Sequence, residues 1–342
     1  MGELVLASEG GFFLRDLDGE HNEAAVNFLQ FLRDRGAYSD NTLRDLKLVL
    51  KSWATWCHSR GLGWFPISPD AVREYLLGLH ECGLASTTTE KHYAMLNMML
   101  KQCGQPSLST SNAVSLVMRR IRREAVTENR ERTGQAVPLQ WDDLKLVGAL
   151  LARSGRMVDL RNRAFLFVAY NTLLRMAEMS RIRVCDLDMI GDTVTIFVGH
   201  TKTSATAAGI EKRLSKSATA ALNDWLSASG LANNPEAILF PPVHRSQKAK
   251  VTTVPLTAPA LEKIFSDAWL LSGRVDQQKN KGRYASWTGH SARVGAAIDM
   301  EESGVSLAEI MREGTWRKPE TVMRYLRRSR TSVGATSKIM DN

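Results

Sequence analysis

The chain has 342 residues, 44% hydrophobic and 24% charged, an ordinary globular balance in a length that suits two domains better than one. No apolar run is long enough to span a bilayer and no signal peptide precedes the first charges, so a soluble, cytoplasmic protein with no membrane partner is expected. A formal net charge of +9 and a pI near 9.5 favour a polyanionic partner without choosing among DNA, RNA and an acidic membrane. The four cysteines, Cys57, Cys82, Cys103 and Cys185, lack zinc-ligand spacing and read as free thiols of a reducing compartment.

Residues 1–20 show no period and read as a loose segment. Helical patterns follow over 21–126. Ala25, Phe28, Leu29 and Leu32 are spaced i, i+3, i+4, i+7, as are Leu46, Val49, Leu50 and Trp53. Ser68-Pro69-Asp70 opens a helix with Ser as cap and Pro at the first helical position; Val72, Tyr75, Leu76 and Leu79 form its inward stripe. Thr87-Thr88-Thr89-Glu90 reads as a capping box before a helix with Leu96, Met99, Leu100 and Cys103 inward. A short helix around Val114, Val117, Met118 and Ile121 carries Arg119, Arg120, Arg122 and Arg123 on its other face. Thr87, Thr88, Lys91 and His92, near a helix start, could enter a major groove, or could be a solvated face.

The polar stretch 127–137 marks a linker, and Pro138 starts a second unit running to 342. Here Leu144, Val147 and Leu151 pattern a helix, and a long apolar helix covers about 159–182. Gly191-Asp192 signals a hairpin turn, Val194, Ile196 and Val198 alternate after it, and Ile210 and Leu214 suggest a third strand. The loop from His200 to Ala208 carries Lys202. Further helices are expected near 216–229, 257–271, 290–302, 306–312 and 319–328, with Ser306-Leu307-Ala308-Glu309 as a capping box. The fold class is therefore mainly α: an all-helical N-terminal domain, then a mixed α+β domain, mostly helical with a small antiparallel sheet. Basic residues at 119–123, 244–250 and 324–330 suit a two-domain clamp around a duplex.

The chemistry concentrates in two places. Arg175 and Glu178 are three residues apart near the end of the long apolar helix, and alone they could be a surface ion pair worth less than about 1 kcal/mol. A guanidinium fork nonetheless matches phosphate oxygens in a way lysine cannot. His290 and Arg293 repeat that spacing at a helix start, where free N–H groups face an anion. Trp316 can donate one N–H and offer a flat wall, or can be core; Tyr325 could be ordinary packing. Together these groups could hold a phosphodiester while a phenol attacks it.

Arg-x-x-Glu, a hairpin-loop Lys, His-x-x-Arg, then Trp and Tyr nine residues apart is the pattern of the tyrosine site-specific recombinases. The segments SNAVSLVMRRIRRE, YNTLLRMAEMSRIRV and TGHSARVGAA closely resemble phage members of that family, and the likeness runs from about residue 20 to the C-terminus. Trp316 stands where the wider family more often has a second histidine. The resemblance implies Tyr325 as nucleophile, Arg175, Arg293, His290 and Trp316 as stabilisers of the transition-state charge, Glu178 as their orienter and Lys202 as general acid. It implies exchange of strands between two short inverted-repeat sites in double-stranded DNA through a Holliday junction, by a tetramer assembled on DNA from monomers. The setting implied is the cytoplasm of a bacterial host, with the gene phage- or plasmid-borne.

It also places Arg44, Thr87, Lys91 and Glu262 near groove-facing positions, with Pro259 where a member has a base-reading arginine; proline has no N–H to donate. SVGATSKIMDN resembles a tail helix that docks in a neighbouring protomer. No acidic cluster suited to Mg²⁺ appears, and neither cofactor nor metal is expected. Two rivals remain: a type IB topoisomerase with the same chemistry, and a DNA-binding regulator or architectural protein with none.

Overall fold

The computed structural model describes residues 3–6, 12–15, 22–128, 135–199, 209–274 and 285–327. Its chain divides into two units, Met1–Thr133 and Gly134–Asn342. Among the described residues of the first, five α-helices follow a strand pair: α1 (Asn22–Arg33), α2 (Asp40–His58), α3 (Pro69–Glu81), α4 (Ser86–Gln102) and α5 (Asn112–Thr127). Side-chain hydroxyls begin three of them, because the first N–H groups of a helix have no partner within it. Ser39 accepts from Thr42 N (3.3 Å), Ser68 from Ala71 N with Pro69 at the first position, and Ser111 from Val114 N. The helices close over Trp53, Tyr75, Leu46, Leu50, Leu76 and Leu96, all fully buried, and Trp53 Nε1 donates to Trp64 O (2.7 Å). Cys57 lies in this core, its thiol pushed up to about 11 by burial.

Three expectations change in this unit. Residues 3–6 and 12–15 are not loose: β1 (Glu3–Leu6) and β2 (Phe12–Arg15) pair antiparallel with Leu4 opposite Leu14, ahead of the helical domain that starts at Asn22. Four-residue strands are too short for their alternation to show in the sequence. In α1 the buried positions are Ala24, Phe28 and Phe31, while Leu29 faces solvent; the inward stripe takes residue 31 where spacing alone takes 29. The capping box at Thr87 does not form. Helix α4 starts two residues earlier, behind Ala85, without a side-chain cap, and Thr89 is buried with its hydroxyl directed to the Ala85 carbonyl (3.5 Å). Burial of the threonine outweighs the local motif.

The second unit packs α6 (Trp141–Arg153) and α9 (Lys216–Ser229) on α7 (Met157–Thr172), beside the sheet β3 (Leu187–Ile190), β4 (Thr193–Val198), β5 (Ile210–Arg213). The sheet is antiparallel in that order, and Gly191 takes the positive φ (57°) that its two-residue turn requires. Val194, Ile196 and Val198 point inward as their alternation predicts. Phe165, Trp225, Phe240, Phe265 and Trp287 fill the main core with α10 (Ala258–Leu271). A second cluster unites α11 (Ser291–Glu302), α12 (Leu307–Glu313) and α13 (Pro319–Leu326) through Val294, Ile298, Ile310, Val322 and Leu326. Ser306 and Glu309 form the expected capping box.

The long helix of 159–182 does not exist as one piece. It stops at Thr172 because Leu173 turns left-handed (φ 52°), and a single turn, α8 (Met176–Met179), follows. A buried leucine in that region carries strain that glycine would avoid, and its packing in the α11–α13 cluster holds it there. The linker is also shorter than 127–137: helix α5 runs to Thr127, and Ala136 is buried in that same cluster. The loop with Lys202 and the expected tail helix lie outside the described residues.

Candidate active site

The broken helix is what builds the site. Arg175 is the cap residue of α8 instead of a late residue of α7. Its backbone N–H donates to Glu178 Oε2 (2.9 Å) and its guanidinium Nη1 to Glu178 Oε1 (2.9 Å). Glu178 is buried and Arg175 half-buried, so the carboxylate ties the guanidinium to its own turn through Nη1. Held at one oxygen by the backbone N–H and at the other by the guanidinium, the carboxylate sets orientation as well as charge.

Arg293 comes from α11, a helix buried on every face over Ser291–Ile298. The arginine is only 3% exposed. Its Nη1 donates to the carbonyl of the left-handed Leu173 and its Nη2 to Gly314 O (3.0 Å). Burial, then the neighbouring Arg175 charge, lowers its pKa to about 10, with Tyr325 and Glu178 acting the other way; at neutral pH it stays cationic. Its Cζ lies 4.8 Å from the centroid of the Trp316 ring, within cation–π range. Trp316 in turn sits 5.7 Å from the Tyr325 ring, tilted by 59°. Two features aim that indole. Thr315 is left-handed (φ 52°), and a Cβ at Gly314 would overlap the Trp316 ring.

Tyr325 is partly buried on α13, and the Gln135 side chain donates to its carbonyl (2.9 Å). His290 is exposed at the cap of α11, and the preceding Gly289 N–H donates to Glu262 Oε2 (3.0 Å). Glu262, expected as a DNA contact, thus also braces the turn that presents His290. The structure therefore brings Arg175, Glu178, Arg293, Trp316 and Tyr325 into one electrostatic and packing cluster; Lys202 is outside the described residues.

Sequence reasoning missed Lys212. It is 7% exposed on β5, donates to the Glu313 carbonyl, and stands 3.7 Å from Glu313 Oε2. The signal was present: a lysine at the inward position between Ile210 and Leu214 breaks the apolar alternation. Gln135 and the Leu173 carbonyl had no such signal, because each is half of a side-chain to backbone hydrogen bond that no residue pattern announces.

In the first unit Arg44, Thr87, Lys91, Arg119, Arg120, Arg122 and Arg123 are exposed. Lys91 Nζ lies 3.6 Å from Asp45, beside Arg44, so these positions of α2 and α4 adjoin. Arg122 pairs with Glu90 (2.5 Å) and Arg120 with Glu124 (2.7 Å). His92 differs: it is half-buried, its Nδ1 2.7 Å from the Tyr75 hydroxyl, with its pKa lowered by burial and then by Lys91. Its imidazole therefore favours the neutral form more than an ordinary histidine does.

Comparison with known proteins gives the family and the fold. Residues 144–331 match the phage integrase family, and 25–101 match the phage integrase N-terminal SAM-like domain. The recombinase cre of Escherichia phage P1 is 43% identical over 329 residues, 95% of this chain and 95% of that protein. An integrase/recombinase xerD homolog of Selenomonas ruminantium is 24% identical over 84% of this chain and 82% of its own. Among solved structures, the Tn1549 transposon integrase with circular intermediate DNA has the same fold (TM-score 0.61, 15% identity, covering 93% of this chain and 98% of that one). So has a lambda integrase dimer bound to a COC′ core site (TM-score 0.55, 16% identity, 90% and 76%).

Proposed function

Since the chain belongs to the phage integrase family and is a tyrosine recombinase, we propose that it cuts and rejoins DNA at a short inverted-repeat site with Tyr325 as nucleophile. The observation that carries the assignment is the buried Arg293, beside Arg175 and under Trp316, with the Tyr325 ring against that indole. The Tyr325 phenol loses its proton to solvent as its oxygen attacks the scissile phosphorus, and the bond from phosphorus to the 5′-oxygen breaks. Arg175 and Arg293 meet the charge that grows on the non-bridging oxygens, as preorganised donors do in an oxyanion hole. Glu178 holds Arg175 in register for this, His290 and Trp316 add donors, and Lys202 gives the leaving 5′-oxygen its proton. The 3′-phosphotyrosine keeps the energy of the broken bond, so a 5′-hydroxyl can reverse the step without ATP.

Arg293 already spends two N–H groups on carbonyls, which leaves it the edge that faces the phosphate and costs it no reorganisation. The exposed cations of α2, α4 and α5 would follow the duplex backbone, exchanging their surface partners for phosphates. Two sites and four protomers complete strand exchange through a Holliday junction.

The test uses a nicked trapping duplex carrying a site selected by the protein from a random DNA pool. Wild-type protein forms a covalent adduct; Tyr325→Phe binds the same duplex and forms none. An adduct from Tyr325→Phe would remove the nucleophile assignment. Synapsis of two such duplexes separates a recombinase from a topoisomerase.

A further inference from the structure

The loop that carries Trp316 is gripped from both sides by buried cations, and only one of them belongs to the recombinase reaction as proposed. Arg293 reaches the Gly314 carbonyl from α11, and Lys212 reaches the carbonyl of the preceding residue, Glu313, from β5. These are the last carbonyls of α12 and the turn after it, which have no partner inside the helix and present its negative end. The turn then passes through the left-handed Thr315, and Trp316 N returns to the Met311 carbonyl (2.9 Å). The indole finally lies over Arg293.

A lysine at 212 is otherwise an anomaly. It occupies the inward face of β5, opposite the buried Ile196, at a position where an aliphatic side chain would complete the core. Burial disfavours its charge, the nearby Arg293 opposes it further, and Glu313 and Glu178 offset both. A buried cation of this kind is kept only where hydrogen bonds and counter-charge hold it. Here they hold it to the turn below the indole.

We infer that Lys212 is a positioning residue: together with Arg293 it clamps the Glu313–Gly314 turn and so sets Trp316 over the phosphate site. It touches neither the scissile phosphate nor the leaving oxygen. The inference rests on the recombinase reading, and wild-type adduct formation on the trapping duplex separates the two, since without that adduct the reading itself fails.

With full-length protein and the same duplex at saturation, Lys212→Met is expected to bind DNA with unchanged affinity and to form adduct about 10²-fold more slowly, the cost of a small misplacement beside the chemistry. The loss should nearly vanish in a Trp316→Ala background, because residues acting as a unit are non-additive. A 5′-bridging sulfur, which needs no proton to leave, should give Lys212→Met no recovery. Wild-type rates for Lys212→Met, fully multiplicative losses with Trp316→Ala, or rescue by sulfur would each overturn the inference. Should Lys212→Met not fold, Gly314→Ala displaces the same indole without touching either cation. It must then reproduce slow adduct formation with intact binding, and a wild-type rate would overturn the clamp.

Discussion

Arg293 and Arg122 carry the same guanidinium in opposite settings. Arg293 is buried, desolvated, and tied to two backbone carbonyls and an indole. Arg122 is exposed on α5 and paired with Glu90 across the surface, a bond worth about 1 kcal/mol or less. Under the proposed function the first, ordered during folding, would meet a transition state without moving. The second must leave one partner for another, which suits a contact that follows a flexible polyanion. On that proposal burial, more than residue type, decides which arginine suits catalysis and which attachment.

The sharpest break of that contrast is to remove each in turn. Arg293→Ala is expected to lower the saturated rate of adduct formation by about 10³-fold, and Arg293→Lys by about 10²-fold because a point charge cannot replace a fork. DNA affinity, measured by titration, should change little. Comparable loss of affinity and rate would make Arg293 a binding group like the surface arginines.

Lys202→Ala tests the remaining catalytic role. It should cleave ordinary DNA very slowly, yet approach the wild-type rate on a 5′-bridging sulfur substrate, since a thiol with pKa near 8.5 leaves unprotonated. Arg293→Ala should gain nothing from sulfur, as its proposed task is charge on the non-bridging oxygens. Equal impairment of Lys202→Ala on both substrates would make it a positioning contact.

On the other side, Arg122→Gln should weaken binding a few-fold and reduce the slope of log affinity against log salt by about 1, one phosphate contact. At saturating DNA its adduct rate should stay within about three-fold of wild type. An unchanged slope would mean that α5 does not meet the backbone.

The smallest effect concerns His92, whose folded pKa lies below the ordinary histidine value. The unfolded chain then binds more protons in the window just below pH 6.5, so stability is complete above it and falls as the pH drops through it. Thermal unfolding between pH 7 and pH 5 should show this decline, and His92→Gln should flatten it. An equal decline in the variant would place the pH sensitivity elsewhere.

How much of this was legible in the sequence depends on whether the signal was local. The buried stripe of α2, three of the four inward positions of α3 (Val72, Tyr75 and Leu76, with Leu79 only partly buried), the Ser68-Pro69 start, the Ser306 capping box and the Gly191 turn all follow from nearest-neighbour geometry, and the structure has them. The order Arg175, Glu178, His290, Arg293, Trp316, Tyr325 was visible because chemistry restricts those residue types, and the family pattern fixes their spacing. What the sequence alone could not decide is where local preference yields to burial. Thr89 enters the core instead of a capping box, Phe31 displaces Leu29 from the inward face of α1, and Leu173 breaks an apolar run that reads as one helix. That last break turns Arg175 from a late helical residue into the cap of a new turn and frees a carbonyl for Arg293. Lys212 teaches the same point from the other direction: a cation in an apolar series looks like noise until the tertiary structure supplies the carbonyl that compensates its burial.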